Sequence, residues 1–187
     1  MNSVKSIINA ALCLVVICLV VTGAVAGTRY AFSDEISRQE QEQQQTSMAK
    51  LLKAADYQPL TKETDHRGQF YQALKEQNTV GYIAVTAAYG YGSDVSVMTA
   101  VNTDGEVVGI EILDASQETP GLGQNVIRTD FTDQFRNLTA APTVTKNAPA
   151  AANEIQAVTG ATRSSNAVAF AVTQALALYD TFAKEAD

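Results

Sequence analysis

Residues 80–113 read VGYIAVTAAYGYGSDVSVMTAVNTDGEVVGIEIL, and their pattern decides the fold. Val80-Gly81-Tyr82-Ile83-Ala84-Val85-Thr86 is rich in β-branched and aromatic residues, which suit a pleated, half-buried surface. Gly90-Tyr91-Gly92-Ser93-Asp94 breaks that run. Two further β-prone runs, Val95 to Val101 and Glu106 to Leu113, flank Asn102-Thr103-Asp104-Gly105. Asp-Gly between such runs is a strong hairpin signal, because glycine supplies the positive φ that a tight turn needs. Three strands in an antiparallel meander are therefore expected.

Toward the C-terminus, Asp130 to Leu138 reads as a short helix after Gly123. Thr139 to Asn153 is polar and contains proline, so it reads as a loop with room for one short strand. The final segment is the best helix in the chain. Val168, Val172, Ala175, Tyr179 and Phe182 fall at i, i+4, i+7, i+11 and i+14, one helical face. No Gly or Pro follows Gly160, and Ser164 or Ser165 is placed to cap the start through its hydroxyl. The fold class is α+β: an antiparallel sheet covered by helices on one face.

Toward the N-terminus, residues 34–55 are rich in Glu, Gln, Arg and Ser, with an apolar stripe through Ile36, Met48, Leu51, Leu52 and Ala55. This reads as a polar helix or stalk. Ile7 to Ala26 carries no charge. Twenty helical residues span about 30 Å, the thickness of a bilayer's hydrocarbon core. A cleaved signal peptide is the competing reading, since Ala24-Val25-Ala26 resembles a cleavage site. The long apolar run and the sparse positive charge before it favour a retained anchor. Lys5 precedes the span, and Arg29 and Arg38 follow it, so charge bias orients it weakly. A short tail inside and the acidic domain outside is the simpler arrangement. The resulting division is a tail (1–6), a transmembrane helix (7–27), a polar stalk and helical region (28–78), and a folded domain (79–187).

Composition narrows the chemistry. The chain has 187 residues and a net charge of −7. With no Lys/Arg cluster, nucleic-acid binding through a basic face is excluded. The two cysteines, Cys13 and Cys18, lie in the apolar span and read as small helix residues. No disulfide framework or thiolate metal site is available outside it. The single histidine, His66, sits in a polar run and reads as an exposed loop residue. A protein of this composition that moves electrons needs a cofactor held by neither Cys nor His.

Val158-Thr159-Gly160-Ala161-Thr162-Arg163-Ser164-Ser165 joins a short β-prone run, Glu154 to Val158, to the final helix. Gly160 permits a tight turn and close backbone approach, and Ala161 leaves room. Hydroxyls on Thr159, Thr162, Ser164 and Ser165 crowd a helix start whose free N–H groups and positive dipole end favour a phosphate. The residues alone leave two readings open: a phosphate site, or an ordinary hydroxyl-capped helix start.

Thr159-Gly160-Ala161-Thr162 followed by Ser165 resembles the [S/T]-G-A-T-x-x-S signature of the FMN-binding domain. That domain is found in the G subunit of the Rnf electron-transport complex and in the C subunit of the sodium-pumping NADH:quinone reductase. The resemblance implies FMN bound covalently to Thr162 as a phosphoester, with Thr159, Gly160, Ala161 and Ser165 around it. In the family a dedicated flavin transferase, using FAD and magnesium, places the group. Glu118-Thr119-Pro120-Gly121-Leu122-Gly123 is similar to the family's ETPGLG segment, which implies Glu118, Thr119 and Leu122 as cofactor contacts. Tyr89-Gly90-Tyr91-Gly92 also fits the pattern. Two positions depart from it. Gln156 stands where the family often has Asp, which bears on recognition by the transferase, and Ser116 stands where it often has His.

The resemblance implies a single-pass electron-transfer subunit of an ion-translocating ferredoxin/NADH oxidoreductase complex, with other complex subunits as partners. The membrane would be the bacterial inner membrane, with the folded domain on its periplasmic side. Chain length favours the Rnf G subunit over a component like the C subunit of the sodium pump. The chain offers no acid or base for turning over a substrate alone. Readings of other classes are a secreted non-redox binding module and a structural adaptor without flavin.

Overall fold

The computed structural model describes residues 2–61 and 68–183. His66, read as an exposed loop residue, lies outside them. The described chain divides into two compact units, residues 1–43 and 44–187.

In the first unit, helix α1 (Asn2–Ala31) is followed by most of α2 (Ser33–Leu51). Ile7–Ala31 is long and apolar enough to cross a membrane, and none of it is buried. Its 25 residues would extend about 37 Å, which exceeds a hydrocarbon core of about 30 Å. Cys13 and Cys18 are exposed and unpaired on this helix.

The second unit holds a five-stranded antiparallel meander in sequence order: β1 (Asp56–Pro59), β2 (Gln69–Lys75), β3 (Asn78–Tyr89), β4 (Asp94–Val101) and β5 (Val107–Asp114). The last three are the strands expected from the sequence. The first two lie inside residues 28–78, read as a polar stalk and helical region. Only Phe70 and Ala73 of β2 are buried, so its apolar signal is thin. Its hairpin with β3 turns on Glu76 and Gln77, at φ 52° and 67°. A two-residue turn of this kind normally uses Asn-Gly or Asp-Gly, and here neither residue advertises it. A bulge at Ala73/Leu74 then shifts the register.

Two further short strands, β6 (Thr143–Thr145) and β7 (Glu154–Gln156), pair in parallel. The short helix expected over Asp130 to Leu138 is instead a series of tight turns. They run as a 3-10 turn at Gly123–Ile127, one α-helical turn, α3 (Thr129–Thr132), and a 3-10 turn at Asp133–Phe135.

The long helix α4 (Thr162–Phe182) packs on β3 and β4. Its Val168, Val172, Ala175, Leu176 and Tyr179 meet Phe70, Ala84, Val97, Val101 and Val107 from the sheet. Fully burying each such large side chain stabilises the fold by about 1.5–3 kcal/mol. Three of the hydrogen bonds that tie this helix to the rest of the domain are spread along its length. The Thr86 hydroxyl donates to the Ala171 carbonyl at 2.8 Å, and the Tyr179 hydroxyl to the Thr103 carbonyl at 2.6 Å. The Ser164 hydroxyl donates to the Glu118 carboxylate.

The opposite face of the sheet is not bare. Met48, Leu51 and Leu52, at and after the end of α2, pack there on Ile83, Met98 and Ala100. Helices therefore cover both faces, where one was expected. The apolar stripe of residues 34–55 belongs, at its C-terminal end, to this second core.

Candidate functional site

Residues 158–165 form a turn and the first coil of α4. The Ala161 N–H donates to the Val158 carbonyl at 2.9 Å, and Gly160 sits at φ +78° within this turn. A Cβ on Gly160 would lie 3.1 Å from the Leu122 side chain, so the ETPGLG loop leans directly on the turn. Neither serine caps the helix, contrary to the sequence reading. Ala161 is the cap residue, and no side chain bonds there. Ser165 lies inside the first coil, buried, donating to the Ala161 carbonyl and accepting from the Val158 N–H, both at 3.0 Å. Ser164 points inward. The first N–H groups of α4 thus lack intrahelical partners and have no capping side chain.

Thr162 is half-buried, and its hydroxyl has no hydrogen-bond partner among the described residues. It lines a cleft of about 830 Å³, between α4 and the end of β3, with Ala88, Tyr89, Asp94, Arg163 and Phe170 among its walls. The Arg163 guanidinium donates from Nε to the Gly90 carbonyl at 2.9 Å and lies 5.9 Å from the Tyr89 ring centre. Thr159 and Gly160 are exposed, and Ala161 is buried. Thr159 lines a second, polar cleft of about 710 Å³ with Asn125, Arg128, Gln134 and Gln156. Gln156 is exposed, and its backbone is held by Gln134.

Glu118 is the residue whose place most differs from expectation. Read as a cofactor contact, it is 1% exposed and points inward. Its carboxylate accepts from the Tyr91 N–H at 2.9 Å, from the Gly92 N–H at 3.0 Å and from the Ser164 hydroxyl. One side chain therefore ties together the Tyr89–Gly92 turn, the ETPGLG loop and the first coil of α4. Burial pushes its pKa up. The hydrogen bonds from Ser164, Gly92, Tyr91 and Ser93 outweigh that and hold it below the ordinary carboxylate value. It is thus ionised at neutral pH.

The glycines around it are required by space. A Cβ would lie 2.5 Å from Glu118 Oε1 at Gly90, and 2.8 Å from Ser164 Oγ at Gly123. At Gly92 it would lie 2.1 Å from the Gln117 carbonyl oxygen. Thr119 and Leu122 are exposed on the loop, whose turn is closed by the Leu122 N–H donating to the Thr119 carbonyl at 3.1 Å. Ser116 is also exposed, and its carbonyl accepts from the Gln124 side chain at 2.9 Å.

The structure thus brings all three motif stretches to one place. Arg163 stands beside the helix start, where the sequence places a cation, and the structure adds Asn166 and Phe170, which the sequence reading did not name. A phosphate fits the set: open N–H groups at a helix start, a neighbouring guanidinium, a glycine turn and an unbonded hydroxyl facing a cleft.

Residues 90–177 match the FMN-binding domain family, and residues 1–51 match the RnfG N-terminal region. The chain is 33% identical to the G subunit of a proton-translocating ferredoxin:NAD(+) oxidoreductase complex from Clostridium ljungdahlii, covering 87% of this chain and 86% of the relative. It is 30% identical to the G subunit of an ion-translocating oxidoreductase complex from Methanosarcina acetivorans, covering 94% and 96%. Among solved structures, the C subunit of a Na(+)-translocating NADH-quinone reductase from Parabacteroides distasonis aligns with a TM-score of 0.53. Its identity is 20% over 62% of each chain, so this likeness carries the fold alone.

Proposed function

The chain belongs to the family of G subunits of ion-translocating oxidoreductase (Rnf) complexes, and from that membership we propose a membrane-anchored electron carrier with FMN esterified to Thr162. The observation that carries this reading is the Thr162 hydroxyl, unbonded, at the uncapped start of α4 and open to a cleft.

The chain's own residues have separable tasks. The first N–H groups of α4 receive the phosphate oxygens, and the helix dipole favours their charge. Arg163 adds a cation beside them. Gly160 keeps the turn low. Glu118 does not touch the cofactor; it holds the three site segments in register from below. Bound FMN supplies reversible electron exchange between neighbouring redox centres, and the pocket tunes its potential.

A threonine hydroxyl is a weak nucleophile unless a base or metal activates it. Asp94 shares the cleft, but no hydrogen bond links it to Thr162. We therefore assign modification to a separate flavin transferase. The Thr162 oxygen forms a bond to the FMN phosphorus, the pyrophosphate bond of FAD breaks, AMP leaves, and the hydroxyl proton passes to the transferase or water.

The partners are the other members of the Rnf-type complex. α1 spans the bacterial inner membrane, with the folded domain on its periplasmic side. A covalent link retains the cofactor where no flavin pool would replace it. Mass spectrometry of the native protein tests the reading: the Thr162 peptide carries one added FMN phosphoryl group, and Thr162→Ala abolishes in-gel flavin fluorescence. An unmodified Thr162 peptide from a host with a competent transferase would overturn it.

A further inference from the structure

We draw no further inference here: the strongest candidate, the exposed apolar patch of Tyr89, Tyr91, Leu122 and Phe170 around the start of α4, borders the cofactor site already described, and nothing in the structure shows what covers it.

Discussion

The floor and the rim of the site are built under opposite rules. The floor is Glu118, Ser164, Gly90, Gly92 and Gly123, where almost no atom can be added and the buried carboxylate accepts from the Tyr91 and Gly92 N–H groups and the Ser164 hydroxyl. The rim is Tyr89, Tyr91, Leu122 and Phe170, large side chains between 45% and 67% exposed. Residues one position apart in sequence fall on different sides of this line: Tyr91 is on the rim, while Gly92 is on the floor. The difference teaches that the site's shape is set from beneath, by close packing around one buried anion. Its chemistry toward the outside is left to side chains the fold does not need.

The largest effect that would break this contrast is at the floor's centre. Glu118→Ala leaves the Tyr91 and Gly92 N–H groups and the Ser164 hydroxyl without their acceptor. At about 1–3 kcal/mol for each buried unsatisfied group, a loss of about 3 kcal/mol or more is expected in urea denaturation of the full chain at neutral pH. The gap between parent and variant should also depend on pH. Because the folded carboxyl pKa is depressed, its contribution is fully present above the ordinary value of 4.5. It fades as pH falls through the folded value. A gap that grows on acidification would contradict an ionised Glu118.

Gly92→Ala comes next. Its Cβ would sit 2.1 Å from a backbone carbonyl oxygen, so the loop must shift. About 2 kcal/mol of destabilisation is expected, read as a lowered denaturation midpoint. Tyr91→Ala, at the adjacent position, is expected to change stability by no more than about 0.5 kcal/mol, as for other surface substitutions. Equal effects at the two positions would erase the distinction between floor and rim.

Much of this was legible from sequence, for reasons that can be named. The β3–β5 meander announces itself through Asp104-Gly105 and its flanking apolar runs, and α4 through its single apolar face. β1 and β2 do not, because a Glu76-Gln77 turn carries no glycine signal and β2 buries only two side chains. The positions of Thr162 and its turn were readable as a motif. The role of Glu118 was not, since its partners lie 26–27 residues before it and 46 after it, and two of them are backbone N–H groups. The serines misled because a hydroxyl near a helix start usually caps it; here both are drawn inward by partners that only the tertiary fold supplies. Arg163 reaching the Gly90 carbonyl, 73 positions earlier, is invisible for the same reason.

The bonds spread along α4 have one more consequence. Ser164 is tied near its beginning, the Ala171 carbonyl near its middle and Tyr179 near its end, each to a different part of the domain. A rod pinned at three stations can neither slide along its axis nor roll about it. Any group mounted at Thr162 therefore inherits a fixed stand-off from its surroundings. For a redox group, α4 would then work as a gauge bar, fixing the depth in the domain at which the group's anchor sits.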